Sequence, residues 1–180
     1  MSEPFRIEHD SMGAIKVPAN VLWGAQTQRS LLNFSISQDL IPIEIIYALA
    51  TIKQAAATVN SRLSVLDAKK RDLIINAASE IAKGLHDDHF PLKVWQTGSG
   101  THTNMNVNEV ISNLASQACN QALGSHILIH PNDHVNCSQS TNDTFPAAIH
   151  IATVEKIRQT LLPEIKALIE VFTQKANDWK

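Results

Sequence analysis

Cysteine is scarce in this 180-residue sequence, and so are aromatic residues, a surplus of either charge and long apolar runs. The only two cysteines, Cys119 and Cys137, stand in no CxxC or Cys/His spacing of the kind that holds zinc or does redox chemistry. They read as reduced, buried thiols. Lys and Arg together number 15 against 17 for Asp and Glu, so no positive excess exists to neutralise a nucleic-acid backbone or an anionic membrane. The expected partner is a small molecule or another protein. No window approaches the roughly 20 apolar residues that a membrane helix needs. The first ten residues, MSEPFRIEHD, lack the apolar stretch of a signal peptide, and Glu3, Glu8 and Asp10 argue against a transit peptide. A cytoplasmic location is the expectation.

What is present suffices for a core, because 44% of the residues are hydrophobic. Residues 1–41 carry short β-branched and aromatic clusters broken by Gly13, Pro18 and Gly24, which predicts an irregular N-terminal arm with turns and short strands. From Pro42, set for a first helical turn, Ile45, Ile46, Leu49, Ile52 and Ala56 recur at helical spacing to about Asn60. A second helix runs from Leu66 through Leu73, Ile74, Ala77 and Ile81 to a capping Gly84. A third is expected over Met105–Leu123, with Val107, Val110, Ile111, Leu114 and Ala118 on one stripe and Gly124 at its end. From Pro146 to Trp179 the pattern is helical, with Pro163 kinking or restarting it. This last stripe has no partner helix after it, so it must pack on other subunits or belong to a longer chain.

Three polar segments separate the helices. Trp95-Gln96-Thr97-Gly98-Ser99-Gly100-Thr101-His102-Thr103-Asn104 joins two glycines to neutral donors just before a helix N-terminus, the makings of a carboxylate or phosphate cradle. It is not a P-loop, since no Lys follows the glycines. The plain alternative is a Gly-rich connector with a Ser/Thr cap. Ser138-Gln139-Ser140-Thr141-Asn142-Asp143 is again donor-rich and again leads into a helix; the alternative is a cap and turn. In Ile129-His130-Pro131-Asn132-Asp133-His134, the two histidines have the i, i+4 spacing of metal ligands, but Pro131 and Asn132 favour a turn. His86-Asp87-Asp88-His89 reads as a solvated polar loop. The residues alone supply no nucleophile, no general base with an orienting partner and no metal cluster.

Taken together in this order, Asp10-Ser11-Met12-Gly13, LWGAQTQRS at 22–30, HDDHFPLKVWQTGSGT at 86–101, NMNVNEVISN at 104–113, HPNDHVN at 130–136 and SQSTND at 138–143 resemble the class II fumarases of the fumarase/aspartase superfamily. The resemblance covers nearly the whole chain and implies the N-terminal portion of such an enzyme. It implies a mainly α fold with an N-terminal domain over 1–137 and the start of a long central helical bundle over 138–180, assembling into a homotetramer. It further implies reversible hydration of fumarate to L-malate without metal or organic cofactor. Carried to matching positions, Ser99, Gly100, Thr101, Ser140, Thr141 and Asn142 would contact a substrate carboxylate, and His130, Pro131, Asn132 and Asp133 would form a secondary anion site. The proton-moving serine of the family lies on a GSSxMPxKxN segment that these 180 residues do not contain, so they are expected to be inactive alone. Two positions depart from the pattern: Ile127 stands where relatives often have arginine, and His102 where glutamine is common. An aspartate ammonia-lyase and a non-catalytic dicarboxylate-binding or assembly protein remain the alternative readings.

Overall fold

Alternation in the N-terminal arm pairs two short strands. In the computed structural model, which describes residues 4–180, β1 (Phe5–Asp10) and β2 (Gly13–Pro18) form an antiparallel hairpin with Phe5 opposite Pro18 and Asp10 opposite Gly13. Glu3 lies outside the described residues. Arg6 fastens the hairpin to the chain that follows. Its guanidinium donates to the carbonyls of Pro18 and Val21, each at 2.8 Å, and of Trp23 at 2.6 Å, while pairing with the buried Glu8. The short strands were expected; a helix in this arm was not. Residues Ala25–Asn33 form α1. Its sequence AQTQRSLLN is mostly polar and has no side-chain cap of its own, and the groups that cap it come from distant segments.

The next two helices follow their patterns. Helix α2 spans Ile43–Arg62, with Pro42 one residue ahead of it as the N-cap. Helix α3 spans Ala68–Ala82, where the Asp67 side chain accepts from the Lys70 N–H and Gly84 takes a positive φ of 74° just past the end.

Helix α4 spans Thr101–Ala118, starting four residues earlier and stopping five earlier than the apolar stripe suggested. Gly124 therefore belongs to the loop beyond it. The larger correction concerns burial: every residue from Thr103 to Ser116 is buried, polar ones included, so α4 is a central helix and not an amphipathic one. Around it pack Ile46 and Leu49 of α2, Ile74 and Ile81 of α3, Ile129, and Ala148 of the next helix.

Helix α5 (Thr141–Lys156) begins five residues before Pro146, which lies inside it. A π-helical segment, Ile157–Leu161, then leads into α6 (Leu162–Asp178) with Pro163 in its first turn. That is the restart expected of a proline, because its ring removes a backbone donor. From Thr153 onward every residue is exposed, including Val154, Leu161, Ile165, Leu168, Phe172 and Trp179. The architecture is mainly α, as expected. No helix among the described residues is long and apolar enough to cross a membrane. The cysteines are free but only half-buried, because Cys119 caps the outer end of α4 and Cys137 lies in a loop.

Ile74 has no exposed surface and sits where α3 meets the rest of the core. Ile74→Ala should lower the unfolding free energy by about 2–5 kcal/mol, measured by denaturant unfolding.

Candidate functional site

A helix buried on all sides must find partners for its polar side chains, and α4 finds most of them in the surrounding loops, with only the amide oxygens of Asn104, Asn106 and Asn108 left unpaired among the described residues of this helix. Glu109 Oε2 accepts from the N–H groups of Gly24 at 2.9 Å and Thr27 at 3.2 Å, and its Oε1 accepts from Gln26 N–H at 2.8 Å. Glu8 Oε2 takes the N–H of Ala25 at 3.1 Å. Two carboxylates thus cover the free donors and positive pole of α1. Gly24 is the residue they enclose: a Cβ there would lie 2.7 Å from Glu8 Oε2 and 2.9 Å from Glu109 Cδ. Burial pushes the Glu109 carboxyl up to about 7, against the downward pull of those N–H groups.

Further along α4, Asn113 donates to Leu22 O and accepts from Gly124 N–H, each at 2.8 Å, and Asn106 donates to His89 O at 3.0 Å. One turn earlier the bonds converge on a single amide. Asn136 Oδ1 accepts from Lys53 Nζ at 3.0 Å, Asn104 Nδ2 at 2.9 Å and Asn108 Nδ2 at 3.3 Å. Asn104 also donates to the Thr141 hydroxyl at 3.1 Å. The cap of α4, the turn at 131–139 and the start of α5 are thereby tied together.

These three segments border one cavity of about 590 Å³, whose lining includes Thr101, Met105, Glu109, His130, Pro131, Asn132, Asn136 and Thr141, with His9, Asp10, Ser11 and Gln26 opposite. Of the residues singled out from the sequence, Thr101, Thr141, His130, Pro131 and Asn132 meet here. The others flank it. Ser99 is exposed, with its hydroxyl 3.0 Å from that of Thr101; Gly100 is buried at the cap; Ser140 and Asn142 are exposed on either side of Thr141; Asp133 is exposed beside His130.

The histidine pair at 130 and 134 caps a turn. His130 Nδ1 accepts from the N–H groups of Asn132 and Asp133, and His130 N–H donates to His134 Nδ1 at 2.8 Å. The segment at 86–89 is less solvated than expected: His89 is half-buried and accepts from Leu22 N–H at 3.2 Å, and Asp87 accepts from the Tyr47 hydroxyl at 2.8 Å. His102 points away from the cavity. It bonds Ser30 Oγ at 2.8 Å and packs 5.5 Å from the Phe34 ring, so it fills space against α1. Ile127 is exposed and outside the cavity lining.

Sequence reasoning missed Glu109, Asn136 and Lys53, and it read Asn104 as one of the donors at the helix start without its bonds to Asn136 and Thr141. One signal was available. Asn104, Asn106 and Asn108 lie at successive i+2 steps, about 200° apart around a helix, so they cannot share one solvated face.

A family model described as "Lyase" matches residues 13–180. Among curated proteins, the chain is 70% identical over 179 residues to a class II fumarate hydratase of Prochlorococcus marinus strain MIT 9313, covering 99% of this chain and 38% of that protein. It is 54% identical over 175 residues to one from Yersinia pestis, covering 97% of this chain and 38% of that protein. Among solved structures, a class II fumarase from Schistosoma mansoni superposes with a TM-score of 0.94 at 44% identity, covering 97% of this chain and 37% of that one. A fumarate lyase:delta crystallin from Brucella melitensis gives 0.84 at 40% identity, over 87% of this chain and 37% of that one. The chain thus spans about 38% of the length of the curated relatives it matches.

The Glu109 carboxyl gives a pH test. Its folded value, about 7, lies above the ordinary 4.5, so between these pH values the unfolded chain releases a proton that the folded chain keeps. This group's contribution to stability is therefore full below about pH 4.5 and is lost as pH rises to about 7. Denaturant unfolding should show the stability difference between wild type and Glu109→Gln shrinking over that window, by at most about 1.4 kcal/mol per pH unit.

Proposed function

We infer the function from one premise, that the chain belongs to the lyase family whose model spans residues 13–180. Its role is to supply the carboxylate-holding donors of a fumarate hydratase, the reaction named for the relatives above. The observation that carries this reading is that Thr101 and Thr141 line one cavity, with the Thr141 hydroxyl held by Asn104, which also bonds Asn136.

The chemistry explains the choice of donors. Removing a proton next to a carboxylate of malate, or adding water across fumarate, builds negative charge on that carboxylate as an aci-carboxylate. Hydroxyl and amide donors already fixed in place stabilise that charge without reorganising. Helix α4 adds its N-terminus at Thr101. Gly100 makes the meeting possible: with φ of 70°, it lets the cap of α4 rest on Phe145 of α5, and a Cβ there would lie 2.2 Å from the Phe145 ring. The two threonines are thus brought together by one close contact. Ser99, Gly100, Thr101, Ser140, Thr141 and Asn142 hold a substrate carboxylate, and His130, Pro131, Asn132 and Asp133 form a second anion site at the rim.

Proton transfer does not fall to the acids already engaged here. Asp10 is bound by Arg29 at 2.6 Å, Glu109 by three N–H groups, and His130 Nδ1 by two. The moving proton is handled by residues outside this lining, and the 180 residues alone do not turn over. No step calls for a metal or organic cofactor.

Residues 1–137 act as the N-terminal lyase unit and 138–180 open a helical bundle through which copies associate into a tetramer. An apolar groove of about 550 Å³ between Ile45 of α2 and Ile149, Ile157 and Leu161, continuous with the exposed stripe of α6, supports this reading. The 180-residue chain should therefore self-associate in analytical ultracentrifugation; a strictly monomeric mass would count against it.

Expressed from its complete gene, the protein should consume fumarate, followed by its ultraviolet absorbance, and release no ammonia from aspartate. Thr101→Val and Thr141→Val should each lower kcat about 10²- to 10³-fold. Ammonia release without malate dehydration would replace the reading.

A further inference from the structure

Lys53 of α2 has no exposed surface, and none of the ion pairs among the described residues involves it. Its Nζ donates to two neutral side-chain carbonyls, Asn136 Oδ1 at 3.0 Å and Gln139 Oε1 at 2.9 Å. A buried ammonium held only by amides lacks a counter-charge, and burial alone lowers it to about 7. No titratable side chain of α2, α3, α4, α5 or the 131–139 turn contributes to that fall. Retaining such a group is unfavourable unless an anion arrives to answer it.

The cavity is where an anion can arrive. Asn136 lines it, and Lys53 stands directly behind that amide. Among the described residues no Lys or Arg lines it, whereas Asp10 and Glu109 do. Two cations among the described residues stand one hydrogen bond behind the lining: Arg29, spent on the Asp10 carboxylate, and Lys53, whose charge reaches Asn136 unneutralised through a dry interior where charges act strongly.

We propose that Lys53 is a positioning residue for the bound dicarboxylate, supplying positive charge to the cavity through the Asn136 amide and fixing the turn that precedes Thr141. The inference rests on the dicarboxylate reading of this cavity. Its consequence is linkage: a dianion in the cavity favours the charged lysine, so the complex takes up a proton that the free protein lacks near neutral pH. A lysine that only filled space would show no such uptake.

The test uses succinate, a four-carbon dicarboxylate with no double bond to hydrate, titrated calorimetrically into the protein expressed from its complete gene. Near pH 7.5, in buffers of different ionisation enthalpy, wild type should take up about half a proton per site. Lys53→Met should lose that uptake and bind about tenfold more weakly. Equal uptake by the two proteins, no uptake by wild type, or no succinate binding would each overturn the proposal. If Lys53→Met does not fold, the pH dependence of Glu109→Gln decides: uptake greatest above pH 7 that survives this substitution supports Lys53, whereas uptake lost with Glu109, or greatest below pH 7 as for the cavity histidines, overturns it. Fumarate turnover by the same wild-type preparation separates the two readings. An active enzyme without Lys53-dependent uptake defeats this inference alone, whereas an inactive protein with that uptake defeats the hydratase reading and leaves the charge pairing intact.

Discussion

A helix with no solvent-facing side must seek its polar partners in neighbouring segments, and α4 is such a helix, its amide N–H groups and its carboxylate all engaged while the amide oxygens of Asn104, Asn106 and Asn108 stay unpaired. Each solution pins something else. Glu109 takes the N–H groups at the start of α1, Asn113 holds Leu22 and Gly124, Asn106 holds His89, and Asn104 and Asn108 hold Asn136. An unmet buried donor or acceptor costs about 1–3 kcal/mol, so these bonds act less as added stability than as conditions on where the loops can lie. The polar residues of α4 are the reason that segments far apart in sequence meet around one cavity.

The same logic explains the neutral character of that cavity. Its acids are already bound by a helix N-terminus or by Arg29, Thr141 is held by the Asn104 amide and Thr101 by the Ser99 hydroxyl. Among the described residues, none of those in the lining is Lys or Arg. The positive charge near the cavity stands one layer back, on Arg29 behind Asp10 and on Lys53 behind Asn136, where Lys53 is shielded from water. Donors arranged this way need little reorganisation as charge shifts on the ligand.

Much of the fold was legible because local signals matched tertiary ones. The apolar period of α2 and α3, Gly84 after α3 and Pro163 in the first turn of α6 all marked what they usually mark. Thr101 and Thr141 were legible as donors next to helix starts. Three things were hidden for a common reason, which is that their partners lie far along the chain. Helix α1 looks unhelical because Glu109, 85 residues beyond Gly24, supplies its cap. Helix α4 looks amphipathic because its asparagines resemble a wet face until their partners are known. Lys53 looks like a surface lysine because its acceptors, Asn136 and Gln139, are 83 and 86 residues away. Ser140, Asn142 and Asp133 are exposed next to the cavity and outside its lining, a distinction of side-chain direction that residue type does not encode.

The distance between α1 and its cap also sets an order of events during synthesis. Gly24 leaves the ribosome 85 residues before Glu109 does. At about 5–20 residues per second, that is a wait of several seconds. During that wait α1 has neither the carboxylate nor the buried surface that makes its nine residues helical. The N-terminal arm is therefore a late arrival in a nascent chain whose middle must form first, and until then its strands and the apolar residues beside them depend on whatever holds unfinished polypeptide in solution.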